Sequence, residues 1–71
     1  MEFELSNEYI ELIKLLKLIG IAETGGHAKE LVDEGIVLVN NETELRKRKK
    51  LVVGDVVECE GETITIVAAT S

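Results

Sequence analysis

The chain has 71 residues, enough for one domain, and at this length only about 60% of the unfolded surface can be buried, so the core must be thin. Hydrophobic residues make up 45% of it and proline is absent, which predicts a single compact domain over residues 1–71 and excludes linkers and low-complexity segments. The formal net charge of −6 argues against uniform attraction to a polyanion, but a local basic patch can still act over a Debye length of about 8–10 Å.

The first elements are predicted by alternation and by capping. Residues 2–5 alternate between acidic and apolar side chains, as in a short half-buried strand. Ser6 can cap a helix that ends near Ile19, with Leu5 and Ile10 forming a hydrophobic staple across the cap. Charged side chains interrupt the apolar residues of this helix, which therefore predicts neither a membrane span nor a signal sequence.

A second helix is predicted over residues 25–34, with Thr24 as its N-cap. Gly20 and Gly35 follow the two helices at the position where a left-handed residue commonly ends a helix. The short connection between the helices makes them a helical hairpin. The inner face of the second helix is expected to contain Ala28, Leu31 and Val32.

After the second helix the pattern changes from helical to β. Residues 36–39 form an apolar β-type run, and Asn40-Asn41 supplies two residues that tolerate positive φ, which predicts a tight hairpin returning over residues 42–45. The remaining predicted turns and strands are a turn at Gly54, a strand over residues 56–60, a turn at Gly61 and a strand over residues 63–68. The predicted fold class is α+β, a helical hairpin packed on a small antiparallel sheet of three to five strands.

Between these strands lies the basic segment, residues 46–50, which contains five of the eight cationic side chains. Neighbouring like charges repel one another, so the segment costs stability unless a polyanion or nearby carboxylates offset it. In an extended conformation one face carries Arg46, Arg48 and Lys50, and the other carries Lys47 and Lys49. The first face is the better phosphate-binding candidate, because arginine can grip a phosphate with two hydrogen bonds.

Two stretches carry a family resemblance, Glu23 to Asn40 and Leu51 to Val57. The first resembles the pattern small-x-Ala-basic-x-x-Leu/Ile-x-x-Gly-x-Val-x-Val-Asn, and the second contains the turn Gly-Asp-x-Val. Together with the helical hairpin, they resemble the RNA-binding domain named after ribosomal protein S-four, the αL motif, over residues 9–67. The resemblance implies binding of structured RNA, ribosomal or transfer RNA in most relatives, with no chemistry of its own.

Three shorter pieces resemble a group of small stand-alone bacterial proteins that consist of this domain alone. They are Leu15-Leu16-Lys17-Leu18-x-Gly20, residues 25–29 and the Arg-Lys-Arg-x-Lys core of the basic segment. One position departs from the family, because many members carry an arginine in the first turn of the second helix, where this chain has Gly25. That departure removes a phosphate contact and leaves Lys29 as the one cation on the helix.

The helices supply further candidate RNA-binding residues. Gly25 and Gly26 open the second helix, whose first amides lack intrahelical partners and can donate to a closely approaching phosphate. Lys29 follows on the same helix, and Lys17 ends the first helix. Each has a structural alternative: the glycines can permit a tight helix–helix turn, Lys29 can pair with Asp33, and Lys17 can compensate the helix dipole.

No residue pattern indicates catalysis, a metal ion or a cofactor. His27 has no partners at metal-ligand spacing, and Cys59 lies between two glutamates that disfavour its thiolate. No serine or cysteine has a histidine partner in a recognisable motif, and no glycine-rich loop matches a nucleotide fingerprint. Phe3 is expected in the core and Tyr9 partly exposed, which favours RNA recognised by shape over single strands stacked on aromatic rings.

The sequence therefore predicts a non-catalytic, monomeric protein that binds structured RNA through the basic segment and the second helix, on the ribosome or a ribosomal precursor. Its single cysteine fits the reducing cytoplasm. Two alternatives use the same cations. The basic segment can be a solvated loop neutralised by Glu42 and Glu44, or it can dock an acidic partner as a protein-interaction adaptor.

Overall fold

A computed structural model describes residues 1–69 of the chain. In this part the helices are α1 (Leu12–Leu18) and α2 (Gly25–Asp33). The strands are β1 (Glu2–Leu5), β2 (Ile10–Glu11), β3 (Leu38–Val39), β4 (Glu42–Thr43), β5 (Lys50–Leu51), β6 (Val56–Cys59) and β7 (Glu62–Ala68). The predicted single domain extends two residues beyond the described part, so its full extent over residues 1–71 stays a prediction.

Five strands form one sheet in the order β1-β7-β6-β3-β4, and β2 pairs with β5 in a separate two-stranded sheet. The pairs that join β7, β6, β3 and β4 are antiparallel. β1 pairs with β7 in parallel, with Phe3 opposite Ile66. The predicted α+β fold is confirmed, and the parallel pair makes the sheet mixed where an antiparallel one was expected.

The start of α1 differs from its prediction. The helix begins at Leu12, not after a Ser6 cap, and residues 10–11 form β2 instead. β2 pairs with β5, which places Ile10 opposite Leu51, and both side chains are buried. Burial of Ile10 against its distant partner Leu51 therefore takes the place of the local staple between Leu5 and Ile10.

α2 matches its prediction closely. Thr24 is the N-cap, and its hydroxyl oxygen accepts a hydrogen bond from the amide of His27 at 3.0 Å. The imidazole of His27 turns back, and its Nδ1 accepts a hydrogen bond from the amide of Glu23 at 3.2 Å. The glycines that follow the two helices, Gly20 and Gly35, have φ angles of +86° and +74°, as predicted for left-handed C′ residues. The predicted inner-face residues Ala28, Leu31 and Val32 are buried.

The β3–β4 hairpin turns at Asn40 and Asn41, whose φ angles are 53° and 68°, as the sequence predicts. Asn40 also connects this turn to the next one. Its side-chain nitrogen donates to Asp55 Oδ1 at 3.1 Å, and its side-chain oxygen accepts from the amide of Val56 at 2.9 Å. Asp55 Oδ2 accepts from the amide of Val52 at 2.9 Å, so the two turns form one hydrogen-bonded unit.

The core combines side chains from both helices and the sheets. Its largest fully buried members are Leu12, Leu15, Leu16, Val32, Val37, Leu51, Val57, Ile64 and Ile66. Cys59 is 2% exposed, and this burial, with the neighbouring Glu60 carboxylate, raises the pKa of its thiol as expected. Among residues 1–69, no helix combines the length and the apolar character needed to cross a bilayer.

Candidate nucleic-acid interface

The basic segment forms a turn, and not the extended conformation in which its side chains would alternate between two faces. The amide of Lys49 donates to the carbonyl of Arg46 at 3.2 Å, which closes the turn. Lys50 then enters β5, opposite Glu11 in β2. The cations therefore project around a bend and not along a straight strand.

The reason for the bend is a contact with the start of α1. The amide of Leu12 donates to the carbonyl of Lys49 at 2.9 Å, and the amide of Ile13 donates to the carbonyl of Lys47 at 3.2 Å. A helix leaves its first amides without intrahelical partners, so these carbonyls satisfy two of them. The turn is thereby fixed at the positive end of the α1 dipole, with its backbone directed inward.

The turn preserves part of the predicted grouping of side chains. Arg46, Arg48 and Lys50 are exposed, whereas Lys47 and Lys49 are half-buried. A surface concavity of about 470 Å³ is lined by Arg46, Arg48, Lys49 and Lys50. Lys49 therefore lies beside the three cations of the predicted face, and all four side chains line one concavity.

Arg46 is held in place by Glu44, which is only 9% exposed. The guanidinium donates from Nε to Oε2 at 2.9 Å and from Nη2 to Oε1 at 3.2 Å, and the Arg46 amide donates to Oε2 at 3.0 Å. These hydrogen bonds outweigh desolvation and lower the pKa of Glu44, while the same pair raises the pKa of Arg46. Because 71% of the Arg46 side chain remains exposed, its other N–H groups can still reach an anion.

A second ion pair connects the basic segment to α2. Lys47 Nζ lies 3.1 Å from Asp33 Oδ1, at the last residue of the helix. The charge of the basic segment is therefore partly neutralised. Glu44 contributes as expected, and the second carboxylate is that of Asp33 and not that of Glu42. Within residues 1–69, the cations of the segment that have no carboxylate oxygen within 4.0 Å are Arg48, Lys49 and Lys50.

Lys29 lies one helical turn before Asp33, and Gly25 lies one turn before Lys29, so these positions form a row along α2. Since Asp33 contacts Lys47, the row leads from the start of the helix to the basic segment. Over eight residue steps it is about 12 Å long. The structure therefore aligns Lys29 with the basic segment and places Gly25 and Gly26 at the far end of the row.

The glycines that open α2 have no close packing neighbours. A Cβ at Gly25 would meet no atom within 4 Å, and one at Gly26 would lie 3.7 Å from Thr24 Oγ1, an ordinary contact. Neither glycine has a positive φ, so the structure gives no support to the alternative that they permit a tight helix–helix turn. Within residues 1–69 their amides make no hydrogen bond, whereas the next amide, of His27, is capped by Thr24.

Lys17 is exposed in the last turn of α1. The basic segment is anchored at the opposite end of this helix, through Leu12 and Ile13, so the structure does not bring Lys17 to it. A lysine at this end complements the helix dipole, as the structural alternative requires. The connection over residues 19–24 leads from it to Gly25, so any anion it binds lies at that end of the hairpin.

Tyr9 adjoins the basic segment, a proximity that the sequence pattern does not indicate. Lys50 Nζ lies 4.9 Å from the centroid of its ring, within the range of a cation–π contact. The residue is 42% exposed, in agreement with the expected partial exposure. The sequence could not reveal this contact, because it depends on pairing between two strands of only two residues each, β2 and β5.

The described part of the chain contains no group of three His, Cys, Asp or Glu side chains that could hold a metal ion. His27 serves the N-terminus of α2, and Cys59 is buried in the core. The chemistry that this surface offers is therefore that of clustered cations and free amides, which bind anions.

The fold and this surface define a class of protein, a small α+β module in which a helical hairpin accompanies a mixed sheet and a basic turn adjoins the helix ends. The chain belongs to the S4 domain family, whose model matches residues 3–67. The family resemblance carried by the motifs of α2, the Asn40 turn and the Gly54-Asp55 turn is therefore confirmed.

Bacterial relatives with similar chains agree with this assignment. The chain is 47% identical over 57 residues to "Probable ribosome maturation protein RlbA" of Bacillus subtilis (strain 168), covering 80% of each protein. It is 43% identical over 60 residues to "Putative RNA-binding protein YbcJ" of Escherichia coli (strain K12), covering 84% of this chain and 86% of that protein. The solution structure of Escherichia coli YbcJ, described as revealing an αL motif involved in RNA-binding, has a TM-score of 0.73 and 41% identity, covering 94% of this chain and 86% of that one.

Proposed function

We propose that this protein binds folded RNA, ribosomal or transfer RNA, and that it acts as a non-catalytic, monomeric cytoplasmic factor in ribosome maturation. The relative named for ribosome maturation and the relatives named for RNA binding support this proposal, because each aligns over at least four-fifths of its length. The proposal does not require a metal ion or a cofactor.

The observation that carries the proposal is the concavity lined by Arg46, Arg48, Lys49 and Lys50. Gathering four cations on a chain whose net charge is −6 costs self-repulsion, and a polyanion that binds there offsets it. Arginine and lysine together suit phosphates, arginine by two-point hydrogen bonding and lysine as a point charge. The segment, including Lys47 once its pair with Asp33 opens, is the principal RNA contact in this proposal.

The row along α2 extends the proposed contact. Lys29 adds one cation to this row, one helical turn from Asp33, and the free amides of Gly25 and Gly26 can receive a phosphate at the start of the helix. Lys17 lies at that same end of the hairpin. A surface of this length and shape suits folded RNA, which presents phosphates and 2′-hydroxyls and not readable base edges.

Replacing Arg48, Lys49 and Lys50 together by alanine should weaken binding to all folded RNAs about equally. For the natural protein the logarithm of the affinity should fall with the logarithm of the salt concentration at a slope of roughly −3 to −5, if four or five phosphates are neutralised. The variant should show a slope flatter by about 3, one for each cation removed. Anisotropy of labelled ribosomal and transfer RNA fragments at several salt concentrations measures both quantities.

The matched control exchanges the cation types within the segment, Arg48→Lys, Lys49→Arg and Lys50→Arg together, which changes the same three side chains and keeps their charge. It should leave the affinity and the salt slope nearly unchanged, while Arg48→Ala alone should weaken binding and flatten the slope. Undiminished RNA binding by the triple variant would remove the basic segment from the mechanism. The adaptor alternative would be favoured if the natural protein bound an acidic protein through these cations and had no measurable affinity for RNA at low salt.

A further inference from the structure

Tyr9 lies on the outer face of the two-stranded sheet. Because side chains alternate along a strand, Tyr9 and Glu11 share one face of this pair with Lys50, which stands opposite Glu11. Their neighbours Ile10 and Leu51 face inward and are 7% and 0% exposed. Strand pairing therefore fixes an exposed aromatic ring directly beside the cations of the basic segment.

The ring borders a second concave surface. A groove of about 650 Å³ is lined by residues 3–11 together with Lys14 and Leu18. The lining carries three carboxylates, of Glu4, Glu8 and Glu11, and one ammonium, so its formal charge is 1 − 3 = −2. Phosphates are repelled by such a surface, whereas an uncharged nucleobase is not.

The groove also offers hydrogen-bonding groups at its edge. Ser6 and Asn7 are exposed in the loop between β1 and β2 and line the groove next to Tyr9. Unstacked bases are commonly bound by stacking on an aromatic side chain and by hydrogen bonds to their edges. Carboxylates add acceptors that pair with amino groups of bases, as in the contact between Glu and the N4 amino group of cytosine.

We propose that the groove beside Tyr9 binds one unpaired nucleobase of the RNA, stacked on the exposed part of the ring, while the adjacent phosphates stay on the basic segment. This inference rests on the proposed function and adds a specificity to it, for folded RNA that contains a bulged nucleotide. Bases that carry an amino group are preferred over uracil, because the groove is rich in carboxylate acceptors.

The test compares two RNA hairpins that share the same loop and differ in the stem. One stem is fully paired, and the other contains a single bulged cytosine. The natural protein should bind the bulged hairpin about tenfold more tightly, the lower range of the effect of one base–aromatic stack. Tyr9→Phe should retain this preference, since the ring remains. Tyr9→Leu and Tyr9→Ala should lose it without losing affinity for the paired hairpin.

A second readout needs no variant. Tyr9 is the single tyrosine, so protein with ¹³C-labelled tyrosine gives one set of ring signals. These signals should move upfield when the bulged hairpin is added and much less with the paired one. A bulged uracil should bind more weakly than the cytosine.

The outcomes separate this inference from the proposed function. Equal affinity for bulged and paired hairpins, with unmoved ring signals, would overturn the nucleobase site and leave the phosphate-binding surface standing. Equal affinity for bulged cytosine and bulged uracil would show that the carboxylates of the groove do not select the base. Failure of the natural protein to bind either hairpin at low salt would overturn both proposals.

Discussion

Glu44 is the residue that holds Arg46, the first cation of the basic segment, in place. It accepts three hydrogen bonds from Arg46, two from the guanidinium and one from the backbone, while being almost fully buried. A buried carboxylate without such partners would be strongly unfavourable. The pair therefore differs from an ordinary exposed ion pair, because one partner has little access to water that could replace the interaction.

Glu44→Gln should lower the free energy of unfolding at neutral pH, because the neutral amide loses the charge-assisted bonds to Arg46. The pKa of Glu44 lies below its ordinary value of 4.5 in the folded protein. Its stabilising contribution is therefore complete above pH 4.5 and is lost as the pH falls through the lower folded pKa. Urea unfolding at pH 7 and at successively lower pH should show the difference between the two proteins shrinking with acidity.

Glu42→Gln is the matched control, because Glu42 is an exposed glutamate in β4, two residues before Glu44. Its unfolding free energy should stay close to that of the natural protein at every pH. A gap between Glu44→Gln and the natural protein that does not narrow in acid would show that the lost stability does not come from the charge of Glu44.

At the scale of elements, the two turn motifs of the family pattern have a common structural reason. Asn40 ends the Val-Asn part of the pattern, and Asp55 belongs to the Gly-Asp part. Their side chains hydrogen-bond to each other at 3.1 Å and each also bonds a backbone amide, of Val56 and Val52 respectively. The residues that mark the family in sequence therefore connect the turn after β3 to the start of β6 and to Val52, which follows β5.

Asn40→Ala should destabilise the protein by roughly 1–2 kcal/mol, because it removes two side-chain hydrogen bonds and places alanine at a positive φ. The control is Asn41→Gly at the other turn residue. Glycine adopts its φ of 68° without strain and is the preferred second residue of such a turn, so stability should be unchanged or higher. Thermal and urea unfolding of both variants checks this, and equal losses in both would exclude the side-chain bridge as the cause.

Elements with local signals could be predicted from the sequence. Thr24, Gly35 and the Asn40-Asn41 pair each determine a cap, a helix end or a turn through their own conformational preferences. Neighbouring residues alone carry that information. The same holds for the strand that contains Ile64 and Ile66, where alternation shows the buried face.

Features that depend on distant partners were predicted wrongly or missed. Ser6 is a good helix cap, but residues 10–11 pair with residues 50–51, and no local pattern shows that competition. The basic segment bends because the amides of Leu12 and Ile13 need its carbonyls, a requirement that arises only once the helix is in place. The parallel pairing of β1 with β7 and the contact of Lys50 with Tyr9 likewise exist only in the folded chain.

At the scale of the whole molecule, charge is divided between a basic turn and an acidic remainder. Five cations lie in residues 46–50, and the rest of the chain carries three cations and fourteen carboxylates. Each region repels itself, and salt screens repulsion at exposed positions. Attraction to RNA is screened by the same ions, and the entropy gained by releasing counterions from the RNA falls as the salt concentration rises.

Salt should therefore change stability and RNA affinity in opposite directions. Raising sodium chloride from low concentration to about 0.5 M, where the Debye length falls to a few ångströms, should raise the Tm of the free protein while weakening RNA binding. Thermal unfolding and anisotropy titrations in the same buffers give the two trends. Potassium chloride should act equally at the same ionic strength, and a fall in Tm with salt would mean that attraction between the regions, not repulsion within them, dominates the fold.

The hydrogen bonds from the amides of Leu12 and Ile13 to the carbonyls of Lys49 and Lys47, respectively, have a kinetic consequence. A loop that must first become ordered loses conformational entropy and slows capture of its ligand. Here the backbone of the turn is already hydrogen-bonded to the helix terminus, so its ordering does not have to accompany binding. Capture should therefore proceed at a speed governed by diffusion and electrostatic steering, with differences among ligands expressed mainly in how long each one stays.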